Sequence, residues 1–155
     1  ADDAIGGCRN LCNALMAYQA EVADFGADKL AGMRFETRMV PAVAAAQANH
    51  VRVAFDGETP VAYAYSSVVA PVDCRLGDMP LVDPASVAGT DIGILNNFYL
   101  EPACRGQGVG TALFADAVDW LRAQPGVSDL CVFVSNGNVS ARRSTNGAAY
   151  VSATR

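Results

Sequence analysis

One stretch constrains this chain more than any other. The stretch from Ile92 to Leu100 has the composition of a strand, Glu101-Pro102 ends it, and a glycine-rich turn follows, Arg105-Gly106-Gln107-Gly108-Val109-Gly110-Thr111. From Thr111 to Gln124, Leu113, Phe114, Ala117, Val118 and Leu121 fall on one stripe opposite Asp116, Asp119 and Arg122, which predicts an amphipathic helix stopped by Pro125-Gly126. Leu130 to Val134 is then nearly all apolar, as in a strand buried on both faces. Glycines let the backbone turn tightly and let a ligand approach the main chain. The N–H groups opening the Thr111 helix lack intrahelical partners and carry the positive end of its dipole, so the turn suits an anion, phosphate above all. A plain glycine-rich strand-to-helix turn is the simpler reading of the same residues.

The familiar nucleotide motifs do not fit. A P-loop needs a lysine after its last glycine, and Lys29 is the only lysine in the chain. The dinucleotide fingerprint needs a glycine where Thr111 stands. What fits is [QR]-x-x-G-x-[GA], as Arg105-x-x-Gly108-x-Gly110 after Phe98-Tyr99-Leu100-Glu101-Pro102, with Asn138-x-x-Ala141 beyond the next strand. This set resembles the GNAT superfamily of acyl-CoA-dependent N-acyltransferases, over about Val51 to Tyr150.

The resemblance implies an α/β (α+β) fold, with a mixed, mostly antiparallel sheet flanked by helices and splayed fourth and fifth strands. It implies acetyl-CoA as co-substrate, with no metal. The N–H groups of Gln107, Gly108, Val109, Gly110 and Thr111, reached past Arg105 and Gly106, would hold the CoA pyrophosphate. Main-chain groups of Phe98 and Leu100 would pair with the pantetheine arm, and the Asn138 amide would touch it. A neutral amine would attack the acetyl carbonyl, polarised by a backbone N–H near Leu100, while a general acid protonates the leaving thiolate.

The chain departs from the family in the acid–base groups. The family's Phe-Tyr is replaced by Ser144-Thr145, so its acid tyrosine is missing; Thr145 could orient a water, though both also read as solvated helix residues. Where relatives place an acid on the fourth strand, this chain has Asn96 and Asn97. Asparagine takes no proton but can position water or the amine, which makes Asn97 the second catalytic candidate. Glu101, Asp91 and Glu36 qualify as bases by type only, and each reads equally as a surface carboxylate. The lone histidine, His50, reads as structural or exposed. The expected activity is N-acetyl transfer to a primary amine of a small molecule or protein. The alternative is an acyl-CoA-binding module with little or no turnover.

The rest of the chain is consistent with one domain over residues 1–155. Helices are expected over Cys8 to Phe25 and over about Phe35 to Ala48, the second either beginning or kinking near Pro41. Val51 to Phe55 and Val61 to Val69 alternate as a hairpin around Asp56-Gly57-Glu58. Ala70 to Asp91, with Pro71, Gly77, Pro80, Pro84 and Gly89, reads as a long structureless loop, and a weaker helix is expected from about Val139. The family's first strand has no clear counterpart before Cys8. Either the chain is a trimmed or diverged member, or a partner copy, as in a homodimer, supplies the edge.

At 52% hydrophobic residues the chain can fill a core, so a disordered tail is excluded. A net charge of −5 removes a basic footprint for nucleic acid and suits a cationic, amine-bearing acceptor, with Asp73, Asp78 and Asp83 in the long loop as its candidate contacts. Five cysteines without a CxxC pair, and one histidine, disfavour zinc. No run approaches the roughly 18 apolar residues of a membrane span, and Ala1 to Gly7 has no positive leader region. A soluble, reduced, cytoplasmic protein is expected.

Overall fold

The computed structural model describes residues 2–23, 26–76, 78–133 and 149–150. Two helices open the chain, α1 (Asp2–Gly7) and α2 (Arg9–Val22). Leu11, Cys12, Leu15 and Met16 recur at helical spacing and are the buried face of α2. A short α3 (Ala27–Ala31) leads to a π-helical turn, Phe35–Met39, and to α4 (Val40–Ala45). Both alternatives at Pro41 are therefore partly realised: the winding changes there, and proline sits in the first turn of α4, where its missing N–H costs no hydrogen bond. Asn13 Oδ1 accepts from the Phe35 N–H at 2.8 Å and ties this turn to α2.

The sheet begins with β1 (Ala48–Asp56), which starts ahead of the alternating residues, and β2 (Thr59–Val69). It continues with β5 (Asp91–Leu100), β6 (Val127–Val132) and β7 (Ala149–Tyr150), in the spatial order β1-β2-β5-β6-β7. The long ladders β1–β2 and β2–β5 are antiparallel; β6 pairs parallel to β5 and to β7. α5 (Val109–Arg122) connects β5 to β6 and buries Leu113, Ala117 and Leu121. One face of the sheet packs Tyr63 and Tyr65 under α2; the other packs Ala62, Ala64 and Leu95 under α5.

Two expectations change. β6 begins at Val127, three residues early, and only Cys131 in it is buried; it lies second from the edge of the described sheet. The stretch from Ala70 to Asp91 is not structureless. It holds 3-10 turns at Pro71–Asp73 and Pro84–Ser86, and a small hairpin of β3 (Arg75–Leu76) with β4 (Met79–Pro80). Cys74 anchors it, 1% exposed against Val69, Ile92, Ile94 and Cys131, with Leu81, Val82 and Val87 packed around them. Turn residues hid these apolar anchors in the sequence.

Candidate active site

β5 carries the site because its two edges end differently. Its ladder with β2 runs to Leu100, whereas its ladder with β6 stops at Leu95 opposite Val132. Beyond Leu95, no described strand pairs with the β6-facing edge. The Glu101 N–H donates to the Val61 carbonyl at 2.9 Å, so main-chain groups at Glu101, Tyr99 and Asn97 point to β2. The alternate residues, Phe98 and Leu100, therefore present their main-chain groups to the open edge. Their side chains pack on the α5 face with Val109 and Phe114, and the Phe98 and Phe114 rings meet edge-on at 6.3 Å.

A 3-10 turn, Pro102–Cys104, links β5 to the glycine turn. Gly106 and Gly108 have φ of 76° and 84°, left-handed values that favour glycine, and Gly108 caps α5. The first helical bond is Ala112 N–H to the Gly108 carbonyl at 3.0 Å. Among the described residues no protein acceptor takes the N–H groups of Gln107 to Thr111, and no side chain caps the helix. The first turn also holds no acidic residue to compete for the dipole. Gly110 sits close to β5, where an added Cβ would lie 3.2 Å from Leu100 Cδ2. Arg105 turns back over the mouth: its Nε and Nη2 both lie 3.2 Å from the Leu100 carbonyl, and its guanidinium lies 5.8 Å from the centre of the Tyr18 ring. An extended arm entering this edge would meet that guanidinium first.

The acid–base candidates are scattered. Asn97 is 3% exposed beneath α2, its amide nitrogen 3.7 Å from Cys12 Sγ. Beside them lies the fully buried Tyr63, whose hydroxyl burial pushes far above its ordinary pKa. Glu36 is paired with Arg9. Asp91, at the start of β5, accepts from Gln47 Nε2 and Thr90 Oγ1. Glu101 alone of the three carboxylates stands at the glycine-turn end of β5. His50 binds Asp116 on the α5 side, its ring stacked on Trp120 at 4.9 Å. Asn138, Ser144 and Thr145 lie outside the described residues, as does the helix expected from about Val139. Among the described residues, no three His, Cys, Asp or Glu side chains gather as a metal site.

A family model described as the acetyltransferase (GNAT) family matches residues 15–144, most of the chain. The chain belongs to this family. Membership makes the protein an acyltransferase, and acetyl transfer its class of reaction. Solved structures agree in fold. A GCN5-related N-acetyltransferase from Ralstonia eutropha JMP134 is 20% identical with a TM-score of 0.64, over 97% of this chain and 92% of that one. Aminoglycoside N-acetyltransferase AAC(6')-Iy in complex with CoA is 16% identical with a TM-score of 0.61, over 99% and 87%. A predicted acetyltransferase with acetyl-CoA from Clostridium acetobutylicum is 16% identical with a TM-score of 0.52, over 89% and 82%. A search of curated protein sequences finds no match. Among the acetyltransferase's described residues, no helix is long and apolar enough to cross a membrane.

Proposed function

We propose that the whole chain acts as one acetyltransferase domain, moving the acetyl group of acetyl-CoA to a primary amine by direct attack. One observation carries the reading: the open edge of β5 at Phe98 and Leu100 is joined through a short turn to the unpaired N–H groups of the α5 N-terminus. A ligand with an extended amide arm and a pyrophosphate would use both. In this reading Gln107 to Thr111 hold the phosphates, Arg105 moves off the Leu100 carbonyl to admit the arm, and Phe98 and Leu100 pair with it. The thioester lies at the arm's far end, so it sits deepest, toward Phe98 and the point where β6 rejoins. A main-chain N–H there polarises its carbonyl. Two solved relatives in fold carry CoA or acetyl-CoA, which supports the same ligand here.

The acceptor is proposed to be cationic overall, on the strength of the net charge of −5. Little of that role falls to Asp83, whose Oδ1 already caps the Pro84–Ser86 turn by accepting from Ala85 N–H at 3.0 Å. Asp73 and Asp78 are exposed, on a segment that packs at the opposite end of β5 from the glycine turn.

Thermal unfolding with excess acetyl-CoA, against NADH and ATP, tests the reading. A ligand at 100 times its Kd stabilises by about 2.7 kcal/mol, which for this length raises Tm by roughly 5–10 °C. The expected result is a rise with acetyl-CoA and none with the controls; no rise removes the proposal. Steady CoA thiol release with an amine panel then separates transfer from the alternative, a module that binds acyl-CoA without turning it over.

A further inference from the structure

Asn96 is the extra residue of β5. Across the ladder Tyr65 faces Asn97 and Ser66 faces Leu95, so Asn96 has no partner in β2. Such a bulge re-aims side chains, and here it turns Asn96 and Asn97 to the same side of the sheet. Their surroundings differ. Asn97 is sealed under α2 beside Cys12. Asn96 is half-buried where β6 leaves β5. Its amide nitrogen donates to Ser67 Oγ at 2.7 Å and to the Ile94 carbonyl at 3.3 Å. Those two bonds fix the amide, and no described residue donates to its oxygen, Oδ1.

If acetyl-CoA binds as proposed above, on which this inference rests, its thioester ends beside residues 96–98. α5 covers one face there, so the acceptor nitrogen arrives on the face where Asn96 stands. An asparagine oxygen accepts a hydrogen bond from an amine but takes no proton near neutral pH. No described carboxylate, imidazole or thiol hydrogen-bonds to Asn96 or Ser67. Glu101 lies five residues along an extended strand, about 17 Å away. Asp91 is held at the other end by Gln47 and Thr90, and Glu36 by Arg9. His50 and Asp116 are bound to each other on the opposite face. The stretch 134–148, which follows β6, contains no Asp, Glu, His, Lys, Cys or Tyr at all.

We propose that Asn96 Oδ1 positions the acceptor nitrogen, that no protein base deprotonates it, and that the enzyme selects primary amines already neutral at working pH. The favoured class is weakly basic amines such as α-amino groups, rather than lysine side chains. An acceptor ammonium first gives a proton to water. The neutral nitrogen forms the C–N bond at the thioester carbon, the C–S bond breaks, and the electron pair leaves on sulfur. The nitrogen's surplus proton passes to water, and the thiolate takes one up to give the CoA thiol. With α-amino pKa values of about 7.7–8.0 against about 10.4 for lysine, the neutral fractions at pH 7.5 differ roughly 250-fold. A cationic acceptor carries its charge on groups other than the reacting nitrogen.

The test is CoA thiol release against pH with ethylamine and its mono-, di- and trifluorinated forms, whose basicity falls stepwise at nearly constant size. An α-amino dipeptide amide and Nα-acetyl-lysine amide complete the panel. In the wild type the acidic limb of kcat/KM should track each acceptor's own pKa, and the dipeptide should outpace the lysine derivative at pH 7.5. Asn96→Ala should raise acceptor KM roughly three- to tenfold, leaving acetyl-CoA KM and the limb in place. Asn96→Asp, which supplies a base, should move the limb below the acceptor's pKa. A limb at one pH for every acceptor, a preference for the lysine derivative, or an unchanged acceptor KM in Asn96→Ala would overturn the inference alone. Acetyl-CoA binding with no thiol release from any amine would overturn the transfer reading, and this inference with it.

Discussion

Gly108 shows how one backbone angle can set the direction of a helix's first N–H groups. Its φ of 84° lets the chain leave the turn and enter α5 with the first N–H groups facing outward. Nothing lies within 4 Å of a Cβ built there, so crowding is not what requires glycine. The angle is. Gly108→Ala should cost about 1–2 kcal/mol of stability from the left-handed conformation alone. It should also shrink the acetyl-CoA-induced rise in Tm, because relaxing the strain re-aims the N–H groups. An unchanged ligand-induced rise, with only the basal Tm lowered, would show that the turn's conformation is unimportant to the ligand.

At the scale of elements, α5 must stay fixed on the sheet for its N-terminus to face the open edge. Apolar burial at Leu113, Ala117 and Leu121 does most of this. A polar clamp adds to it, with His50 Nε2 at 2.6 Å from Asp116 Oδ2 and Arg52 Nε at 3.1 Å from the same oxygen. Burial would raise the Asp116 carboxyl, but the bonds from His50 and Arg52 outweigh it and hold it below the ordinary carboxylate value. A carboxyl depressed in the folded state contributes stability above its unfolded pKa and loses it as pH falls through the folded one. Asp116→Asn should therefore lower Tm near neutrality, and the gap to wild type should close below about pH 4. A gap that persists undiminished at low pH would mean that the ionised carboxylate is not what the clamp uses.

For the whole molecule, the cysteines report on packing. Cys8, Cys12, Cys74 and Cys131 are buried and Cys104 is half-buried beside the glycine turn. Burial pushes Cys8 up to about 12 and Cys74 to about 11, far from thiolate formation at neutral pH. A disulfide-exchange reagent should titrate one thiol promptly in the native protein, and the other four only at the rate of unfolding. Two or more prompt thiols would show that α2 or the Cys74 segment opens on its own.

Local order set much of this protein in its sequence. The 3.6-residue stripe made α5 readable, alternation gave the hairpin of β1 and β2, and the glycine spacing marked the turn, because each signal lies within a few residues of itself. The tertiary structure decided how the residues of the candidate site are arranged. Asn96 and Asn97 are adjacent and identical, and no local pattern separates them. The register of β2 at Tyr65 and Ser66 makes Asn96 the bulged residue, and α2 closes over Asn97. The open edge at Phe98 and Leu100 likewise depends on where β6 parts from β5, and the clamp joins His50 to Asp116, far apart in the chain. Strand register and helix docking are settled by side chains that meet only when distant segments pack, and these place Asn96 where β6 leaves β5.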